Sequence, residues 1–420
     1  MKKFLIVGCS TYYINNFGDD AMLVTLIQGL RKKYTKCSIT ILARYPNKKL
    51  DKTYKIKSVK NFEHDSKPLK PNTLLFGFNE HDDLSHFRTI KNEISKCDML
   101  ILGGNLFMEI HKNRFLIGLS SYSSLMTILS KFLNKPTALY GVNVVKPITS
   151  ELTLDHAKFV IQNAKKITIR EKTAQNFLKN CDVNSKKTKI LGDPALGVEF
   201  KQNKFKAIRQ LEKLKIKIPK NKKLVGVCIR EEYWKINKNK QDQNLKKIAK
   251  ILDNFQEKSG CNFLFIPNCT FSHDNHIKDR KWQDDRYTHL NIDKYMKKKQ
   301  HNFLINDEID FFENLNLFTL LDMHITNRRH SLAFAALNGV SSVVIGDRSG
   351  EMQNHQNSMA DELGLNNNKI GLNKSLNFLN KKILNLWMNK SKYEKIINKK
   401  KKKLIKLAKS QVNFITKDIL

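Results

Sequence analysis

Apolar residues in this chain gather into short continuous runs, and between the runs they recur at three- and four-residue spacing. The runs at 3–8, 38–42, 97–102, 137–142 and 166–171 predict buried strands. Ala21, Leu23, Leu26, Ile27 and Leu30 predict a helix between the first two, and helices are expected near 121–133 and 155–164. The run 189–194 closes this series. A second series opens at 224–229 and continues through a helix at 243–257, a strand at 262–267, an acidic-apolar helix at 307–316, an apolar run at 318–325 and a strand at 341–345. Continuous apolar strands alternating with helices belong to parallel sheets covered on both faces, so the class is α/β. The pattern divides into a domain over 1–200, a polar linker at 201–222 carrying Pro219, a domain over 223–385 and a basic helix at 386–420. In that last helix Ile397, Leu404, Ala408 and Val412 share one face. Residues 43–90 show no clear pattern, and 278–301 read as a lysine-rich loop or insertion.

Such sheets hold ligands beyond the carboxyl ends of their strands. The first loop there offers Asn16, Gly18 and Asp19, with Asp19 expected to cap the following helix. Gly103-Gly104-Asn105 follows the strand at 97–102, and its glycines permit close backbone approach to a ligand. Arg170 and Arg230 each end a strand, and His273 and Asp274 follow another. The stretch 327–340 places Arg328, Arg329 and His330 at a helix start, with Leu332, Ala333, Ala336 and Leu337 on one face and Gly339 at its end. Free N–H groups and the helix dipole already favour an anion there, and two arginines make a phosphate or carboxylate the natural guest. Plainer roles compete at each position: the glycines make turns, Asp19 caps, and a helix-start histidine packs.

Composition adjusts this picture in three ways. At 420 residues and 40% hydrophobic the chain fills two cores, yet no run reaches transmembrane length. The apolar core after Met1 is too short for a signal peptide, so a first strand and a cytoplasmic protein are expected. Seven cysteines, odd in number and without a C-x-x-C pair, read as reduced thiols, and the histidines show no metal-ligand spacing. The formal charge of +37 is spread along the whole chain in company with abundant Asn, Ile and Phe, with its densest cluster at Lys399 to Lys403. That argues against nucleic acid as the partner and leaves a basic surface compatible with peripheral contact with an anionic membrane. The oligomeric state is open.

The order Asn16-Phe17-Gly18-Asp19-Asp20-Ala21, Gly103-Gly104-Asn105-Leu106-Phe107, Ile169-Arg170-Glu171, Asp193-Pro194, Ile229-Arg230 and Arg328-Arg329-His330-Ser331 resembles the polysaccharide pyruvyl transferase family over about residues 3–365. The resemblance implies two Rossmann-like domains facing across a cleft, a GT-B-like architecture. It implies transfer of a pyruvyl group from phosphoenolpyruvate to hydroxyls of a glycan or a lipid-linked sugar precursor, with the donor substrate and no further cofactor. Carried onto this chain, Arg328 and His330 become catalytic, and Arg170, Arg328, Arg230 and Arg329 donor-binding. Asn16, Asp19, Gly103, Gly104 and Asn105 become acceptor-binding. The chain departs from the family pattern at Asn105, at Gly141-Val142-Asn143, at Arg329 and at Gly346-Asp347-Arg348-Ser349, which leaves acceptor and donor open. A GT-B glycosyltransferase using a nucleotide sugar and a non-catalytic basic binding protein are the alternatives.

Overall fold

The computed structural model describes residues 1–8, 15–43, 46–61, 73–74, 78–79, 84–107, 119–144, 148–179, 181, 185–219, 221–231, 238–270, 284–346 and 351–419. They form two compact units. The first comprises Met1–Tyr13, Asp19–Glu199 and Leu404–Leu420; the second comprises Ile14–Gly18 and Phe200–Lys403.

In the first unit the strands of the main sheet are β1 (Lys2–Val7), β2 (Cys37–Ala43), β3 (Lys57–Lys60), β4 (Met99–Gly103), β5 (Thr137–Val142), β6 (Lys166–Ile169) and β7 (Thr188–Ile190). They lie in the order β7-β6-β5-β4-β1-β2-β3, and neighbouring strands run parallel. Phe4 to Val7 and Met99 to Leu102 are buried throughout. That is why they read as unbroken apolar runs: helices such as Phe17–Lys33, Glu151–Asn163 and Leu119–Phe132 cover the faces. The stretch 43–90, patternless in sequence, contributes the helix Lys48–Tyr54, capped by Asn47, and the edge strand β3. The segment from Leu404 packs into this unit, where Gln411 is buried. Gln411 accepts from the Thr168 hydroxyl at 2.8 Å and donates to the Gly192 carbonyl at 2.9 Å.

The second unit contains β8 (Leu224–Cys228), β9 (Asn262–Phe265), β10 (Asn302–Leu304), β11 (Met323–Thr326), β12 (Ser342–Gly346) and β13 (Lys369–Gly371), in the order β10-β9-β8-β11-β12-β13. Its six strands are again parallel. Each sheet therefore reverses direction of build beside its first strand, between β1 and β4 and between β8 and β11. Doubly wound sheets bind ligands at such switch points. A short antiparallel pair, Asn15–Asn16 with Cys269–Thr270, belongs to the second unit.

Three expectations change here. The lysine-rich stretch 278–301 contains a helix, Asp285–Tyr295, started by Asp284, whose carboxylate accepts from the Arg286 amide. Its apolar spacing is diluted by polar residues that are themselves buried, including Thr288 and His289. The stretch read as a linker holds the helix Lys204–Lys213, packed on the helix Phe311–Leu317 within the second unit. The terminal region is two helices, Leu376–Met388 and Lys390–Ile415, and the residues of the latter from Leu404 onward belong to the first unit. On that last helix Ile397, Ala408 and Val412 are buried and Leu404 is half-buried. Among the described residues no helix is long and apolar enough to cross a membrane.

Candidate anion site at the β8/β11 switch point

Residues Thr326, Asn327 and Arg328 leave β11 beside the end of β8, and the short side chains of Thr326 and Asn327 tie the two strand ends together. Thr326 donates to the Cys228 carbonyl and accepts from the Arg328 amide, both at 2.8 Å. Asn327 mimics a strand partner: its oxygen accepts from the Arg230 amide at 2.7 Å and its nitrogen donates to the Arg230 carbonyl at 2.8 Å. Arg230 is thereby held next to the start of the helix Arg329–Leu337. Arg328 takes the extended conformation immediately before that helix, with φ −102° and ψ 124°, and its own side chain does not cap the helix.

The Arg328 side chain turns inward. It is 8% exposed, and its Nε donates at 3.0 Å to Asp285 Oδ1, which Nη2 also contacts. The other oxygen of Asp285 accepts from the main-chain amides of Asn268 at 2.9 Å and Cys269 at 3.0 Å. Burial alone would weaken the arginine's charge, but the Asp285 carboxylate holds the guanidinium's pKa above its ordinary value. One turn further along the same helix, His289 accepts from the Ile229 amide at 3.2 Å through Nε2, which assigns the proton to Nδ1. Burial first, and then the Arg328 charge, push its pKa down to about 3, so it is neutral.

His324 supports the helix start from below. Its Nδ1 lies 3.1 Å from the Gly226 carbonyl, which can only accept, so Nε2 accepts from the Ser331 hydroxyl at 2.7 Å. Burial pushes this imidazole to about 3 as well. A methyl group on Gly226 would stand 2.9 Å from His324 Nδ1 and closer still to Leu321, so the glycine makes room for this stack.

His330 lies against Gly18. A β-carbon built on Gly18 would fall 1.8 Å from His330 Nδ1, leaving no space for any side chain. The segment bearing Gly18 is fixed by the pairing of Asn16 with Cys269 and by a hydrogen bond from the Phe17 amide to the Asn268 carbonyl at 3.0 Å. Asn16 Oδ1 accepts from the Gly18 amide at 3.2 Å. The helix begins at Phe17, so Asp19 sits inside its first turn and does not cap it.

Of the residues singled out in the sequence, Asn16, Arg230, Arg328, Arg329 and His330 therefore belong to the second unit. Arg230, Arg329 and His330 are half-buried. Asp19, Gly103, Gly104, Asn105 and Arg170 belong to the first. Arg170 is 3% exposed there; its Nε donates to the Gly141 carbonyl at 2.6 Å, its Nη2 to Met22 Sδ at 2.8 Å, and its Nη1 lies 3.9 Å from the buried Asp193 carboxylate. Gly104 adopts φ +85°, and a β-carbon on it would stand 2.9 Å from the Gly8 carbonyl. Close backbone approach at that glycine thus serves the chain's own main chain. Asn105 is exposed. His273 and Asp274 lie outside the described residues, as do 347–349. Sequence reading missed Asp285 and His289, although Asp284 as a cap followed by Asp285, Thr288 and His289 at helical spacing was a signal in the chain.

The model of the polysaccharide pyruvyl transferase family matches residues 16–349. No curated protein matches the chain. Among solved structures, the UDP-GlcNAc 2-epimerase of Neisseria meningitidis bound to UDP-GlcNAc is similar at 14% identity, with a TM-score of 0.59 and 100% of both chains covered. Alr3699/HepE of Anabaena in complex with UDP is similar at 14% identity and TM-score 0.57, covering 100% of this chain and 98% of the other. A glycosyltransferase from Rickettsia africae shows 14% identity and TM-score 0.57, with 99% of each chain covered. At this identity the likeness concerns the fold, which is GT-B-like.

Proposed function

Because this chain belongs to the polysaccharide pyruvyl transferase family, a family of transferases, we propose that it moves the pyruvyl group of phosphoenolpyruvate onto two hydroxyls of a glycan or its precursor, forming a cyclic ketal. The observation that carries this reading is the helix start Arg328-Arg329-His330, within the matched region and at the switch point of the second sheet.

In the proposed reaction a proton adds to the methylene carbon of the enol, and a sugar hydroxyl attacks the adjacent carbon. The carbon–oxygen bond to phosphate breaks, a second hydroxyl closes the ring, and inorganic phosphate leaves. One hydroxyl proton balances the proton added to carbon, and the other departs to phosphate or solvent. His330 is assigned the proton transfer, for which an imidazole suits neutral pH. Arg230 and Arg329 are assigned to the donor's carboxylate and phosphate, where a planar guanidinium recognises two oxygens at once. Arg328, bound by Asp285, acts as a fixed donor rather than a mobile clamp. Asn16, which accepts from the amide of Gly18 beside His330, is assigned to the acceptor side. Arg170 is left out of the donor set because its guanidinium is engaged by its own unit.

Thermal unfolding with millimolar phosphoenolpyruvate, beside UDP-, GDP- and CMP-sugars, tests the donor. A ligand at one hundred times its Kd stabilises the native state by about 2.7 kcal/mol, which is readily measured. Stabilisation by phosphoenolpyruvate, with phosphate release that falls about 10²–10⁴-fold in His330→Ala while the melting curve is unchanged, is the expected result. Stabilisation by a nucleotide sugar alone would replace this reading with a glycosyltransferase.

A further inference from the structure

We propose that the outer face of the helix Lys390–Ile415 is an electrostatic docking surface for a bilayer containing anionic phospholipid. This inference is independent of the donor chemistry. The helix carries ten lysines and one glutamate, Glu394. The whole chain has 76 basic and 39 acidic residues, so the helix is far more one-sided than the composition requires. Lys392, Lys395, Lys399, Lys402, Lys403 and Lys406 are all exposed. At about 100° per residue they fall within an arc of roughly 100°, along about 21 Å of helix axis. Glu394 lies off that arc, and none of the six forms an ion pair with a described residue. The helix Lys238–Ser259 makes the contrast: it is also lysine-rich, but Asp242, Asp253 and Glu257 interrupt it and Lys246 pairs with Asp242 at 2.6 Å.

The opposite face decides how a membrane would be met. Ile397, Ala408 and Val412 are buried in the protein, which removes the apolar stripe an inserting amphipathic helix needs. What remains outward is a straight row of ammonium groups, complementary to a plane of phosphates. Met388, at the end of the preceding helix and 81% exposed, supplies an apolar side chain four residues before the row begins. The row holds no aromatic side chain on which a base could stack, which favours a lipid surface over single-stranded nucleic acid.

The test is co-sedimentation of the full chain with vesicles of phosphatidylcholine alone or with about one third phosphatidylglycerol, at low and high salt. The wild type should bind only the anionic vesicles and be released by salt. Each lysine near such a surface contributes about fivefold, so replacing Lys395, Lys399 and Lys402 by glutamine should weaken partitioning by roughly a hundredfold. A control variant removes the same charge elsewhere, at the exposed Lys48, Lys49 and Lys52. It should bind like the wild type. Equal losses in the two triple variants would assign the binding to overall charge and overturn the proposal. So would no binding by the wild type, or displacement from anionic vesicles by single-stranded nucleic acid at equal charge concentration.

Discussion

Arg328 shows how far a side chain's chemistry depends on its partner. As a residue type at a helix start it reads as an anion clamp, yet its Nε and Nη2 are directed at Asp285. The pair is buried on both sides, and Asp285 also satisfies two main-chain amides. Replacing one member of such a pair leaves an uncompensated buried charge, which costs about 3–5 kcal/mol. Asp285→Asn is therefore expected to lower stability by that order in urea unfolding. In a double-mutant cycle with Arg328→Met, the second substitution should restore part of the loss, because the orphaned cation is gone. Additive losses would mean that the two residues stabilise the unit separately. Legibility differed sharply between these partners: Arg328 stood in a recognisable motif, whereas Asp285 is 43 positions away and visible only as a helix-start acid.

At the scale of the element, neutral imidazoles hold the start of the helix Arg329–Leu337 and the end of β8. His324 accepts from Ser331 in its first turn, and His289 accepts from the Ile229 amide at the end of β8. Both have folded pKa values of about 3, against about 6.5 for an unfolded histidine. Above pH 6.5 both states are neutral and the stability is complete. As pH falls through 6.5 the unfolded chain binds protons that the folded one refuses, so stability is lost progressively toward pH 3. Two such groups give a slope of up to about 2.7 kcal/mol per pH unit. Melting temperature should be flat above pH 7 and fall between pH 6 and 5, before most carboxylates titrate; in His324→Gln the fall should be shallower. A flat profile down to pH 5 would show that these imidazoles accept protons in place. The strands and most helices of both sheets were readable because burial on two faces leaves continuous apolar runs. The helix Asp285–Tyr295 was not, because its inward face is polar and is matched by partners distant in sequence.

At the scale of the whole molecule, the chain order and the compact units do not coincide. Residues Ile14–Gly18 belong with the second unit, and Leu404–Leu420 return to the first. There Val412 fills the space above Gly29, Ala408 lies beside Thr25 in the space above Gly197, and Gln411 bridges Thr168 and Gly192. Deleting 404–420 should therefore destabilise the first unit, although the first two hundred residues carry every strand of its sheet. Limited proteolysis should find cleavage sites within 19–199 that the full chain protects, while 200–403 stays resistant. Equal resistance of both regions would show that the terminal segment is dispensable.

By itself the sequence determined the two parallel α/β series, the switch-point loops and the arginine–histidine helix start, since strand burial and helix periodicity are local consequences of residue order. Its family motifs extend over enough of the chain to define membership. Only the tertiary structure decided that Arg328 is bound to Asp285, that Gly18 makes room for His330, and that Arg170 is bound within its own unit. It also decided that the terminal helix turns its apolar side inward and its lysines outward. These outcomes depend on which distant groups meet in a low-dielectric interior, where an unpaired charge is costly and a paired one is held in place.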